Sequence, residues 1–101
     1  MNVGPIHTVE IRDRDGTVLA RFHDTGEIAA LASEVADDPA FPFLRFVDPY
    51  GETVFNAAQA TEFAIEITRR ADPADVTLQR VVAMADQVGG EVQQYLWLLG
   101  D

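Results

Sequence analysis

Residues Phe41–Asn56 read FPFLRFVDPYGETVFN and hold four of the six Phe, one of the two Tyr and two of the five Pro. The pattern is apolar strand, tight turn, apolar strand, helix cap. Phe43–Val47 is a short strand, apolar apart from Arg45. Asp48-Pro49-Tyr50-Gly51 fits a type I turn, with Asp first, Pro second and Gly fourth. Thr53–Phe55 is the returning strand. Asn56 caps the helix that follows, and Gln59 stands at the capping-box position.

Upstream, Thr8–Phe22 reads as a β-hairpin around Asp15-Gly16, a two-residue type I′ turn signal. Pairing outward sets Arg14 opposite Thr17, Ile11 opposite Ala20 and Val9 opposite Phe22. Val9, Ile11, Val18, Ala20 and Phe22 then share a core-facing side, and Glu10 meets Arg21 as an exposed pair. Between the hairpins, Asp24 and Glu27 form a capping box ahead of a helix whose stripe is Ile28, Leu31, Ala32 and Val35. Asp37-Asp38-Pro39 ends it, because the residue before Pro avoids the α region.

Downstream, Ala60, Phe63, Ala64, Ile67 and Ala71 form the stripe of a second helix. Asp72 caps a third, with Pro73 in its first position and Asp75 near the positive end of its dipole. Leu78, Val81, Val82, Ala85 and Val88 are its buried stripe, and Gly89-Gly90 stops it. Glu91–Leu99 is apolar at nearly every position, so strand and short helix both fit. Its aromatic content and the following Gly100 favour strand. The expected fold is α+β, a small mainly antiparallel sheet with three helices on one face, in the order ββαββααβ. Residues 1–101 form one domain, with no repeat, linker or low-complexity tract.

Composition narrows function by exclusion. A chain of 101 residues hides about 65% of its unfolded surface, enough for one core. It has no cysteine, which excludes disulfides, thiolate catalysis and cysteine-ligated metals, and makes a reducing cytoplasm the default setting. The opening MNVGPIHTVEIRDRDG lacks a basic segment followed by an apolar one, so no signal peptide is expected. No apolar run approaches the ~20 residues of a membrane span. The net charge of −10 disfavours nucleic acid and anionic membrane as partners and favours a basic protein, or simply solubility. All seven cations are Arg, and Ala and Val are abundant, as in a GC-rich bacterial genome.

No constellation of catalytic residues stands out. There is no Gly-rich phosphate loop, G-x-S-x-G elbow or nucleophile–base pair. In the hairpin register His23 lies opposite Thr8, beside His7, with Asp24 nearby. That pair lacks a third strong ligand, so no metal or other cofactor is expected, and surface histidines at the open end of the hairpin are the simpler reading. Arg45 falls on the solvent face of its strand by alternation, or binds an anion. Asp48 and Glu52 flank the central turn, where Asp has a backbone role. Tyr50, displayed at the tip, suits partner contact better than catalysis. Glu34, Asp37 and Asp38 form the densest acidic group and can meet a basic partner, though a solvated helix end explains them as well.

The block Phe46–Asn56 resembles one found in a family of small uncharacterised bacterial proteins, and Tyr95–Asp101, YLWLLGD, is similar to that family's close. With the helices between, the likeness spans roughly the C-terminal 60 residues. It implies a bacterial protein of this single-domain type and brings no activity, cofactor or catalytic residue.

The resulting expectation is a non-catalytic protein that binds another protein, as a regulator, antitoxin or immunity protein does. Its contacts are expected at Tyr50, Glu52, Glu34, Asp37 and Asp38. The alternative is a small-molecule or metal-binding domain with a pocket between sheet and helices, using His7, His23 and Arg45. Tyr95–Leu99, read as an edge strand, offers a route to a homodimer.

Overall fold

Alternating side chains in His7–Asp13 (β1) and Val18–His23 (β2) pair the two strands antiparallel, with Val9 opposite Phe22, Glu10 opposite Arg21 and Ile11 opposite Ala20. The computed structural model describes residues 5–100, so Met1–Gly4 of the opening and Asp101 of the C-terminal block lie outside it. The turn differs from the expected two-residue one. Asp13 N–H donates to Thr17 O at 3.0 Å and Gly16 N–H to Asp13 O at 3.0 Å. Three residues therefore span the turn, and Gly16 (φ 87°) takes the left-handed position such a loop requires. Arg14 does not pair with Thr17. A register shift follows, with Arg12 opposite Val18, and Val18 and Leu19 are both exposed. The extra residue reverses alternation, which removes Val18 from the core face.

Helix α1 (Glu27–Glu34) buries Ile28, Leu31 and Ala32, and Val35 just beyond it is buried too. Asp24 caps it from further out than expected. Its carboxylate accepts Ile28 N–H at 3.0 Å, Gly26 N–H at 3.1 Å and His7 N–H at 2.7 Å. Gly26 (φ 106°) occupies the cap position, and Glu27 turns to the Thr25 N–H and hydroxyl instead of Asp24. Burial alone would raise the Glu27 carboxyl, but those donors and the Thr77 side chain lower it below its ordinary value.

The expected strand Phe43–Val47 is instead a 3-10 turn, Leu44–Phe46. Pro42 offers no N–H, and the N–H groups of Phe43 and Leu44 are taken by the buried carboxylate of Glu66, the latter at 2.8 Å. Arg45, Phe46 and Val47 donate to Phe41, Phe43 and Leu44. No donor remains free for a ladder. The strand Glu52–Phe55 (β3) pairs elsewhere.

Helix α2 (Ala57–Arg70) starts with the expected capping box between Asn56 and Gln59. Helix α3 (Val76–Gly89) starts three residues later than expected, because Asp72 closes a turn onto Ala74 N–H and Asp75 caps Leu78 N–H. Pro73 thus lies in the turn. Both helices bury their predicted stripes, with Glu66 and Met84 added and Ala71 and Val82 only partly covered.

The last segment is a strand, Gln94–Gly100 (β4), and it pairs on both sides. Sheet order is β2-β1-β4-β3, antiparallel throughout. Residues Tyr95–Leu99 are therefore interior, not an edge, because the chain returns after α3 between β1 and β3. The α+β class holds: the described residues form four strands and three helices, with the 3-10 turn in place of the fifth expected strand. Helices α2 and α3 pack on each other and on β4, and α1 packs on α3. Phe63, Ile67, Val81, Leu96 and Leu98 are fully buried between these layers, each contributing roughly 2 kcal/mol. No helix among the described residues is long and apolar enough to cross a membrane.

On the face of the sheet away from the helices, Glu10 is 2% exposed rather than solvated. Arg12 lies 2.6 Å from one carboxylate oxygen and Arg21 2.5 Å from the other. Burial pushes this carboxyl up, but the two guanidinium groups outweigh it and hold it below its ordinary value of 4.5. The folded state binds this proton less tightly than the unfolded chain does. The contribution to stability is thus complete above the ordinary value and is lost as pH falls through the lowered one. Glu10→Gln should cost about 2 kcal/mol at neutral pH and flatten the acid limb of stability, measured by urea unfolding from pH 3 to 7. An acid limb unchanged by the substitution would show that Glu10 is not its source.

Candidate functional site

Two surfaces concentrate binding chemistry. The first is the helix-free face of the sheet. Cross-strand register sets His23, Thr8, Leu99 and Glu52 in one row, and Arg21, Glu10, Trp97 and Val54 in the next. Arg12 and Tyr95 form a third pair. The Arg12 guanidinium lies 4.0 Å from the centre of the Trp97 ring, a cation–π contact. This face joins aromatic rings, aliphatic side chains and an Arg–Glu–Arg triad that keeps one net positive charge.

The second surface is a cleft of about 350 Å³ between α1 and the segment that carries the central turn. Ala29, Ala32, Ser33 and Ala36 form one wall, and Arg45, Val47, Pro49 and Tyr50 the other, with Pro5 at the rim. Every position on the helix wall is small, which leaves room beside α1. The other wall is fixed by the Glu66 carboxylate, which holds the 3-10 turn that carries Arg45. The turn beyond it is held by Asp48, which accepts Tyr50 N–H at 2.8 Å and donates its own N–H to Thr53 Oγ1 at 2.9 Å. Gly100 N–H donates to Gly51 O at 2.7 Å, and a Cβ at Gly100 would stand 2.5 Å from the Pro49 carbonyl. Only glycine allows the turn to lie this close to β4.

Arg45 is half-buried in the cleft, and its Nε is buried without a hydrogen-bond partner among the described residues. Its guanidinium carbon lies 4.7 Å from the centre of the Phe46 ring. Among the described residues the cleft lining contains no carboxylate. Arg45, Ser33 and Tyr50 supply positive charge and hydroxyl donors in an otherwise apolar space. That is equipment for binding an anion.

The other anticipated site residues fall in different places. Tyr50 is 73% exposed, at the mouth of this cleft, and Glu52 is exposed at the start of β3. Glu34 lies on the other flank of α1, in a groove with Arg70, Ala71 and Asp72, and meets Arg70 at 3.2 Å. Asp37 and Asp38 are exposed beyond the end of α1, and Asp38 accepts Ala40 N–H. Glu34 and Tyr50 therefore do not share one groove.

The histidines do not form the expected surface pair. His7 is fully buried, and its Nε2–H donates to Asp48 O at 2.9 Å, while Nδ1 has no partner among the described residues. His23 is exposed and meets the Thr8 hydroxyl through Nδ1 at 2.9 Å. Alternation sends the two rings to opposite faces of the sheet. Among the described residues no group of three His, Cys, Asp or Glu side chains stands close enough to hold a metal ion.

No family model, curated protein or solved structure matches this chain. The resemblance carried by the Phe46–Asn56 and Tyr95–Asp101 blocks thus has no independent match beside it.

Sequence reasoning missed Trp97 as a surface residue and Glu66 as the anchor of Arg45. The charge at position 66, inside the apolar face Phe63-Ala64-Ile67, was the available signal. Glu66→Ala should remove both acceptors of the 3-10 turn and destabilise the protein by about 2 kcal/mol. Amide exchange at Phe43 and Leu44 should accelerate more than at Leu96. Equal acceleration at all three would indicate that Glu66 supports the core generally.

Proposed function

We propose that this protein acts by binding protein rather than by catalysis, and that a second copy of the chain occupies the open face of its sheet. The observation that carries this reading is the make-up of that face. Tyr95, Trp97, Leu99 and Val54 lie together there, with Arg12 and Arg21 beside them, and among the described residues α2 and α3 pack on the opposite side of β4, over Leu96 and Leu98. Trp, Tyr and Arg are the residue types that supply most of the energy at protein contacts.

Charge supports a copy of the same chain as the occupant. Two chains of net charge −10 repel across most of their surfaces. On this face Arg12 and Arg21 offset Glu10 and Glu52. The basic groups Arg21 and His23 stand on β2, at one edge, and Glu52 stands on β3, at the other. A two-fold axis along the strands lays β2 of one copy over β3 of the next and brings His23 toward Glu52. Such a contact is isologous and electrostatically self-complementary. Sheets stacked ~10 Å apart leave room for Trp97 and Tyr95 to interdigitate.

The net charge of −10, with Asp37, Asp38 and Glu52 exposed at separate places and Tyr50 exposed at the central turn, supports a basic protein as a further partner and weighs against nucleic acid. The lack of cysteine supports a reducing cytoplasm as its setting.

Light scattering over a concentration series should show mass rising from one chain to two. Trp97 is the single tryptophan, so its emission should shift to the blue in step. Trp97→Asp should hold the protein monomeric with its far-ultraviolet dichroism intact. A monomer at every concentration into the millimolar range, or a dimer indifferent to Trp97→Asp, would overturn the proposal.

A further inference from the structure

We infer that the cleft between α1 and the Arg45–Tyr50 segment binds a small organic carboxylate with a compact apolar body. This goes beyond self-association through the sheet and does not depend on it. The cleft volume of about 350 Å³ falls within the range of small-molecule sites, which are mostly apolar with a few convergent polar groups. Here the apolar part is Ala29, Ala32, Ala36, Val47 and Pro49, and the polar part is Arg45, Ser33 and Tyr50.

The decisive group is Arg45. Arg12 and Arg21 share Glu10, and Arg70 meets Glu34, but no carboxylate stands within ion-pair distance of Arg45 among the described residues. Burying a guanidinium N–H without an acceptor is costly, and the Arg45 Nε–H is buried in that state. In a chain with 17 acidic residues, an acid-free wall around an arginine leaves a ligand to supply the anion. The guanidinium fork matches a carboxylate with two parallel hydrogen bonds, one of them from Nε–H. The Ser33 hydroxyl and the Tyr50 phenol add donors from the two sides. The alanine wall excludes a bulky body and favours an apolar one. A strongly hydrated dianion such as phosphate would give up its water to a mostly apolar lining for a single cation, which selects the carboxylate.

The test is a titration of the whole protein with benzoate, followed by ¹H–¹⁵N spectra that include the arginine Nε–H region. Benzamide and inorganic phosphate serve as the neutral and the dianionic controls. The expected result is a saturable downfield movement of the Arg45 Nε–H, with movement of the Ser33 and Tyr50 amides. Benzamide and phosphate should bind at least about tenfold more weakly. Arg45→Gln should weaken benzoate at least about tenfold, and Arg45→Lys should restore only part of the loss, because it keeps the charge without the fork. No saturable response to benzoate would overturn the site. So would an equal response to benzamide or phosphate, or benzoate binding unchanged in Arg45→Gln. Since the wild-type titration decides the matter first, poor folding of a variant leaves the outcome readable. Trp97 emission and the mass of the particle report on the sheet face separately.

Discussion

The antiparallel ladder that β4 makes with β1 on one side and β3 on the other holds the molecule together. It pairs His7 with Gly100 and Asp13 with Gln94, so it joins segments near the two ends of the chain. Pairing at such sequence separation forms late and needs other contacts to offset its closure entropy. Those contacts come from α2 and α3, which pack against each other and deliver Phe63, Ile67, Val81 and Val88 to Leu96 and Leu98. With β4 in the middle, β3 gains a neighbour without its expected hairpin partner. The segment before it is then free to curl into the turn that carries Arg45.

Two buried carboxylates work in different ways on the two sides of this sheet. On the helix side Glu66 accepts backbone N–H groups and substitutes for a ladder that Pro42 interrupts. On the open side the buried Glu10 carboxylate gathers two arginines, one of which lies against Trp97. His7 adds a third internal link by joining the start of α1, through Asp24, to the central turn, through Asp48. That link fixes the separation of the cleft walls, since α1 forms one and the turn forms the other. A cleft built on caps and turns keeps its shape because every one of those groups has a defined backbone partner.

Much of the domain is legible in its sequence. Local chemistry settles the Asn56 cap, the apolar stripes of all three helices and the inner register of the first hairpin, because each depends on residues at most a few turns or one strand apart. The three-residue turn at Arg14–Gly16 and the shift of the third helix cap to Asp75 are near misses of the same kind. In both, two neighbouring polar residues were competent, and the hydrogen bonds of Asp13 and Asp72 chose between them.

The candidate site is a different matter. Sequence alone determined an acidic α+β chain with Tyr50 displayed at a turn, and it marked Arg45 as either solvated or anion-binding. Only tertiary structure decided that Arg45 lies against the small residues of α1, because the Glu66 carboxylate that positions it arrives from a helix 22 residues away. Only tertiary structure made Tyr95 and Trp97 part of an open face, since that depends on β4 entering between β1 and β3. Periodicity reports which side chains share a face, but not what covers that face. The covering elements come from distant parts of the chain, and their arrival is set by packing rather than by local propensity.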